Sequence, residues 1–282
     1  MADSEVFTSV DSLREALQSE NNDSKTGFFP TMGALHHGHL ALVKKVFEHA
    51  DVVVVSIFVN PTQFNNPDDL KKYPRNLQKD IDLLKTAGKV LVFAPTVEEM
   101  YPSSYKELEL DLGALGTVME GKFRDGHFNG VVNVVNRLFE IVEPDLAFFG
   151  MKDFQQLAVI QFMVNQFSLP VEIVPCEIIR EESGLASSSR NARLSEKDKE
   201  EAVVLSTSLR IAKELSGVFP PIKVKEIINE IIGRSSLELE YFEIVHPKTL
   251  LSISEWMPGS QACIAAYCGD VRLIDNMQLT EF

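Results

Sequence analysis

Apolar and polar positions along this chain switch repeatedly between a helical and a strand period. Leu40, Val43, Val46 and Phe47 recur at helical spacing, so His39 to Ala50 reads as a helix. Val52 to Val59 follows as an apolar run interrupted by Ser56, the pattern of a strand buried on both faces of a parallel sheet. Before the helix, Gly27-Phe28-Phe29-Pro30 reads as a short strand; after the long strand, Asn60-Pro61 is a stop. Further strands are expected at Val90 to Phe93, Leu146 to Phe149 and Val171 to Cys176. Further helices are expected at Leu77 to Ala87, Val131 to Val142 and Phe154 to Phe167.

Strands alternating with helices imply right-handed βαβ units and a parallel sheet covered on both sides. The expected fold is therefore α/β, a Rossmann-like parallel sheet with helices on both faces. Ligands of such sheets sit beyond the carboxyl ends of the strands, so the segments after Phe29, Val59 and Phe149 are where chemistry is expected. From Ser195 the pattern changes. Glu196 to Leu215 and Val224 to Ile232 read as helices, separated by a break at Pro220-Pro221. Leu239 to Val245, Gln261 to Tyr267 and Val271 to Ile274 read as strands, the last two joined as a hairpin at Gly269-Asp270. This is a smaller α+β C-terminal domain, with the boundary expected between residues 1–178 and 179–282.

Composition narrows the class. Of 282 residues, 45% are hydrophobic and 24% charged, which excludes a disordered chain. Lys plus Arg number 27 against 41 Asp plus Glu, a net charge of −14 that argues against a broad nucleic-acid surface. A local cluster of His, Lys, Arg and backbone N–H can still hold a small phosphate. Cys176, Cys263 and Cys268 are too few and too scattered for a disulfide framework, which fits a reducing cytosol. Met1 to Gln18 lacks a basic stretch followed by an apolar one, and no apolar run approaches the ~20 residues that span a bilayer. A cytoplasmic protein with no membrane or nucleic-acid partner is expected.

Three segments carry candidate chemistry. Thr31-Met32-Gly33-Ala34-Leu35-His36-His37-Gly38-His39 joins a strand to a helix, where unpaired N–H groups and the helix dipole favour phosphate. Gly33 and Gly38 admit a close ligand, and His36 and His39 offer hydrogen bonds to its oxygens. A metal reading of these histidines lacks neighbouring cysteines or carboxylates. Gly150-Met151-Lys152-Asp153-Phe154-Gln155-Gln156 again follows a strand: Lys152 suits a phosphate, Asp153 suits a helix cap, and Gln156 suits a ligand over the sheet edge. Gln155 is assigned to an exposed helical face. Gly184-Leu185-Ala186-Ser187-Ser188-Ser189-Arg190-Asn191 offers small hydroxyls and a forked guanidinium for a polyphosphate. Asn60-Pro61-Thr62-Gln63-Phe64 adds an amide suited to a hydroxy acid, and Asp80 and Arg124 are isolated polar candidates.

Together these segments resemble the pantothenate synthetase (pantoate–β-alanine ligase) family through nearly the whole chain. Tyr73-Pro74-Arg75, His127-Phe128, Gly130-Val131 and Arg272-Leu273-Ile274-Asp275-Asn276 extend the likeness. The His-x-Gly-His and Ser-Ser-Arg pieces mark the wider nucleotidyltransferase superfamily; Asn-Pro-x-Gln-Phe and Lys-Asp-Phe-Gln-Gln narrow it. The resemblance implies that ATP and pantoate give pantoyl adenylate and pyrophosphate, and that β-alanine then displaces AMP to give pantothenate. It further implies an ATP site of Met32, Gly33, Ala34, Leu35, His36, His37, Gly38, His39, Gly150, Met151, Lys152, Asp153, Ile179, Ser187, Ser188, Ser189 and Arg190. Within it, His36, His39, Lys152 and Arg190 would act on the reaction, His39 matching the family's proton donor. Gln63, Gln156 and Asn60 would contact pantoate or β-alanine, Mg²⁺ would accompany ATP mostly through phosphates and water with Asp80 as an indirect partner, and the enzyme would be a homodimer whose C-terminal domain closes over the site. Ser187 stands where the family has Met or Leu, and His37 where an acidic residue is common. The rival readings are an adenylyl-transferring enzyme of the same superfamily acting on another acid, and a non-enzymatic nucleotide sensor.

Overall fold

The computed structural model describes residues 4–20, 23–64 and 67–281. Its elements run β1 (Glu5–Phe7), α1 (Val10–Ser19), β2 (Thr26–Thr31), α2 (His37–Phe47), β3 (Val52–Ile57), α3 (Pro67–Lys72), α4 (Leu77–Leu84), β4 (Leu91–Phe93) and α5 (Val97–Met100). They continue with α6 (Glu120–Phe123), α7 (His127–Val142), β5 (Leu146–Gly150), α8 (Phe154–Phe167), β6 (Glu172–Cys176), α9 (Glu196–Ser216), α10 (Pro221–Gly233), β7 (Glu238–Val245), β8 (Gln261–Cys268) and β9 (Val271–Gln278).

The chain divides into two units, the first made of Met1–Asp111, Arg124–Gly150 and Val159–Cys176, the second of Leu112–Phe123, Met151–Ala158 and Glu177–Phe282. The second unit therefore takes two segments from inside the expected first domain. In the first unit six strands form a parallel sheet in the order β1-β4-β3-β2-β5-β6. The chain moves from β2 outwards to β3 and β4, then restarts on the other side at β5. The switch point thus lies between β2 and β5, where ligands of such sheets bind. Val53, Val54 and Val55 of β3 are wholly or almost wholly buried, as a strand covered on both faces requires. Phe29, Val43, Val46, Leu84, Val92 and Phe148 close one layer of this core.

β1 and α1 carry no continuous apolar run. β1 is a three-residue edge strand whose residues are exposed or half-buried, fixed by parallel pairing with β4. Ser9 starts α1 by accepting the Ser12 N–H.

In the second unit β7, β8 and β9 form an antiparallel sheet against which α9 and α10 pack. Leu205, Leu209, Val224, Ile228, Phe242 and Ile264 make its core. Ser195 and Asp198 start α9 as a reciprocal cap. Pro221 opens α10 at its first turn, where proline's missing N–H costs nothing. The β8–β9 hairpin turns at Gly269 with φ +58°, a conformation suited to glycine. Among the described residues, no helix is long and apolar enough to cross a membrane.

Candidate active site

The loop between β2 and α2 is held from below. Thr31 Oγ1 accepts the Gly33 N–H at 3.1 Å and donates to the Ser56 carbonyl at 2.7 Å. Gly33 and Ala34 then take positive φ, +77° and +52°. A Cβ on Gly33 would lie 2.9 Å from Asp80 Oδ2 and 3.0 Å from Ile57 Cγ2, so this position needs glycine. Asp80, on α4 and 3% exposed, accepts the Ala34 N–H at 3.0 Å and the Leu35 N–H at 2.8 Å, one with each oxygen. Burial raises its carboxyl pKa, and the two N–H bonds work against that rise. Both oxygens of this buried carboxylate are engaged by loop amides. Asp80 fits a brace for the loop.

The loop ends by capping α2 with its own histidines. His36 Nδ1 accepts the Gly38 N–H at 3.1 Å, and His39 Nδ1 accepts the His36 N–H at 3.3 Å. This is the reciprocal capping box built from imidazoles rather than from Ser and Glu. Each Nδ1 uses its lone pair on a backbone donor, so in the neutral ring the proton sits on Nε2. The ring centroids are 4.1 Å apart. α2 begins two residues before the expected His39, because capping at His36 brings His37 and Gly38 into the first turn.

β3 ends at Ile57, and Pro61–Gln63 forms a single 3-10 turn beyond it. Asn60 is fully buried and organises that turn. Its Oδ1 accepts from Thr62 Oγ1 at 3.1 Å and Tyr101 Oη at 3.0 Å, and its Nδ2 donates to the Gly130 carbonyl at 3.1 Å and Gln63 Oε1 at 3.3 Å. Gln63 Nε2 in turn donates to Met32 Sδ at 3.0 Å, and its carbonyl bonds His127 Nδ1 at 2.9 Å. Two segments about thirty residues apart, the histidine loop and the Gln63 turn, therefore meet in one place.

In the second unit, Met151–Asp153 forms a 3-10 turn leading straight into α8. Met151, Lys152 and Gln156 are half-buried and Asp153 is exposed. Gln155 is 4% exposed, which corrects its assignment to a solvated face. Its amide donates to the carbonyls of Leu115 and Val118 at 2.8 and 2.9 Å and accepts the Glu120 N–H at 3.0 Å. Gln155 thus satisfies the backbone of 115–120, a segment the helical pattern alone does not bring there. Glu120 also accepts from Arg272 and Tyr241.

The serine loop is a narrow turn closed by the pairing of Arg180 with Ala186. The Ile179 carbonyl accepts the Ser187 N–H at 2.9 Å. Ser187 is buried and donates its hydroxyl to Glu181 at 2.9 Å. Ser188 Oγ caps the turn Ser189–Arg193 by accepting the Arg190 N–H at 3.3 Å. Arg180, a residue the motifs did not mark, grips Asp275 through two bonds of 2.7 and 3.0 Å and donates to the Gly184 carbonyl.

A parallel sheet with a histidine-capped helix at its switch point defines a Rossmann-like α/β protein. The family model of pantoate-beta-alanine ligase matches residues 5–278, and the chain belongs to that family. It is 49% identical to a pantothenate synthetase of Christiangramia forsetii, over 98% of this chain and 99% of the relative. A pantothenate synthetase of Bacteroides thetaiotaomicron is 47% identical over 98% of this chain and 99% of its own. Among solved structures, pantothenate synthetase from Thermus thermophilus superposes with a TM-score of 0.92 at 41% identity, over 98% of this chain and 99% of that one. Pantoate-beta-alanine ligase from Francisella tularensis, complexed with beta-gamma ATP and beta-alanine, gives 0.81 at 35% identity, over 98% of each chain.

Proposed function

We propose that this chain condenses pantoate with β-alanine at the expense of ATP, giving pantothenate, AMP and pyrophosphate. The observation that carries this reading is the meeting of the histidine loop with Gln63 through Met32, at the carboxyl ends of β2 and β3. The family membership and the two bound ligands of the Francisella relative support it.

A carboxylate is a poor electrophile, so the acid must first be activated. A pantoate carboxylate oxygen attacks the α-phosphorus of ATP and pyrophosphate leaves. The β-alanine amine, as the free base, then attacks the acyl carbon and AMP leaves. Charge builds on the phosphate oxygens in the first step. His36 and His39, with their protons on Nε2, donate hydrogen bonds to those oxygens from a helix end whose dipole already favours negative charge. Lys152, Ser188, Ser189 and Arg190 supply further donors to the phosphates, and Gly150, Met151, Asp153 and Ile179 contact the nucleotide. Ser187 shapes that loop through Glu181.

Gln63 and Gln156 orient pantoate, and Asn60 sets Gln63. Magnesium enters with the nucleotide, and a homodimer and a cytoplasmic location follow the family resemblance. The direct test is product analysis with all three substrates. The reading requires pantothenate and AMP in equal amounts; ADP and phosphate as products would refute it.

A further inference from the structure

Arg272-Leu273-Ile274-Asp275-Asn276 has no part in the reaction just described, yet Asp275 and Asn276 are 4% and 3% exposed. Buried polar side chains persist when their bonds do something for the fold or the site. Asn276 Nδ2 donates to the carbonyl oxygens of Met151 and Lys152, at 2.9 Å each. Those carbonyls belong to the peptide planes immediately before and after the Lys152 Cα. Pinning two consecutive planes fixes φ and ψ of the residue between them, and with them the direction in which its side chain leaves the backbone.

The pinning amide is itself oriented. Gln261 Nε2 donates to Asn276 Oδ1 at 2.8 Å, so the oxygen end is taken and the NH₂ end faces the turn. The Asn276 N–H donates to Asp275 Oδ1 at 2.8 Å, and Asp275 is gripped by Arg180. An aspartate at 276 would set an acceptor against two carbonyls. An alanine would leave both carbonyls without this partner.

We infer that Asn276 is a positioning residue for Lys152, acting on ATP binding through the backbone of the Met151–Asp153 turn. The inference rests on the reading of Lys152 as a phosphate contact. It is tested by a double-mutant cycle on the full-length protein, with the dissociation constant for ATP measured by calorimetry in wild type, Asn276→Ala, Lys152→Ala and the double variant. Asn276→Ala weakens ATP binding tenfold or more in the wild-type background and less than twofold in the Lys152→Ala background. Asn276→Asp, nearly isosteric, weakens it at least as much and serves if the alanine variant does not fold. An equal loss in both backgrounds, or no loss, overturns the inference, since a general loss of packing has no reason to vanish with the Lys152 amine. Wild-type protein that binds ATP but shows no pantoate-dependent reaction overturns the ligase reading instead, and the cycle still judges Asn276.

Discussion

His36 and His39 cap the helix they begin by exchanging backbone protons for ring lone pairs: His36 Nδ1 takes the Gly38 N–H and His39 Nδ1 takes the His36 N–H, with ring centroids 4.1 Å apart. The capping bonds therefore decide which nitrogen can serve a ligand. Side-chain ¹⁵N spectra of the folded protein at pH 8 should show both rings as the Nε2–H tautomer; a proton on Nδ1 of either ring would contradict the capping geometry. His39→Ala should lower turnover by roughly 10²–10³, the usual loss when one donor to a developing charge is removed, with the circular dichroism spectrum unchanged. Wild-type turnover in that variant would remove His39 from the site.

Asp80 gives a second prediction because positioning and metal binding make different demands. Asp80→Asn keeps one acceptor and puts an amide N–H against a loop N–H. The loop then loses a charge-assisted bond worth about 1.5–3 kcal/mol, seen as a lower midpoint in urea. Turnover falls with it, while the Mg²⁺ concentration for half-maximal activity stays within twofold. A large rise in that concentration would assign Asp80 to the metal instead.

At Gly130 the backbone of α7 lies against the Gln63 turn. A Cβ there would stand 2.7 Å from the Thr62 carbonyl oxygen and 2.8 Å from the Gln63 nitrogen. Backbone cannot give way as a side chain does, so Gly130→Ala should cost about 1–3 kcal/mol of stability and displace Gln63. Both Gly130→Ala and Gln63→Ala should raise KM for pantoate more than KM for ATP. A rise confined to ATP would refute the role given to Gln63.

Tyr101 ties the same turn to pH. Its hydroxyl donates to Asn60 Oδ1, and burial is the main cause that holds its pKa well above the usual 10.0. The folded state keeps the phenol protonated while the unfolded chain loses the proton at its ordinary value. The contribution is therefore complete below pH 10 and shrinks as pH rises beyond it. Relative to Tyr101→Phe, wild type should be more stable by about 1 kcal/mol at pH 8, an advantage that declines from pH 10 upwards in urea titrations. An advantage that grows with alkali would contradict the assignment.

Much of this architecture was legible because it rests on local pattern. The run Val52 to Val59 suits a strand buried on both faces, β3 takes up Val52–Ile57 of it, and the helices behind β2 and β5 keep their apolar period. β1 escaped because three edge residues with exposed side chains show no period, and only pairing with β4 defines them. Among the candidate residues, the histidine loop, Gln63 and the serine loop carry recognisable residue types at fixed spacing. Gln155, Asp80 and Asn276 are as visible in the sequence, but what they bond is not. Each works by bonding the backbone of a segment at least 35 positions away, and no spacing in the sequence announces such a partner. Gln155 is a case in point: a glutamine in a first helical turn reads as solvated, because the 115–120 backbone that it bonds lies far off in the sequence.

In the proposed reaction this chain activates pantoate as an adenylate. The most direct measurement is the exchange of labelled pyrophosphate into ATP with β-alanine left out. The expected result is exchange when pantoate is present and none when it is absent. Exchange independent of pantoate, or supported only by a different acid, would contradict it.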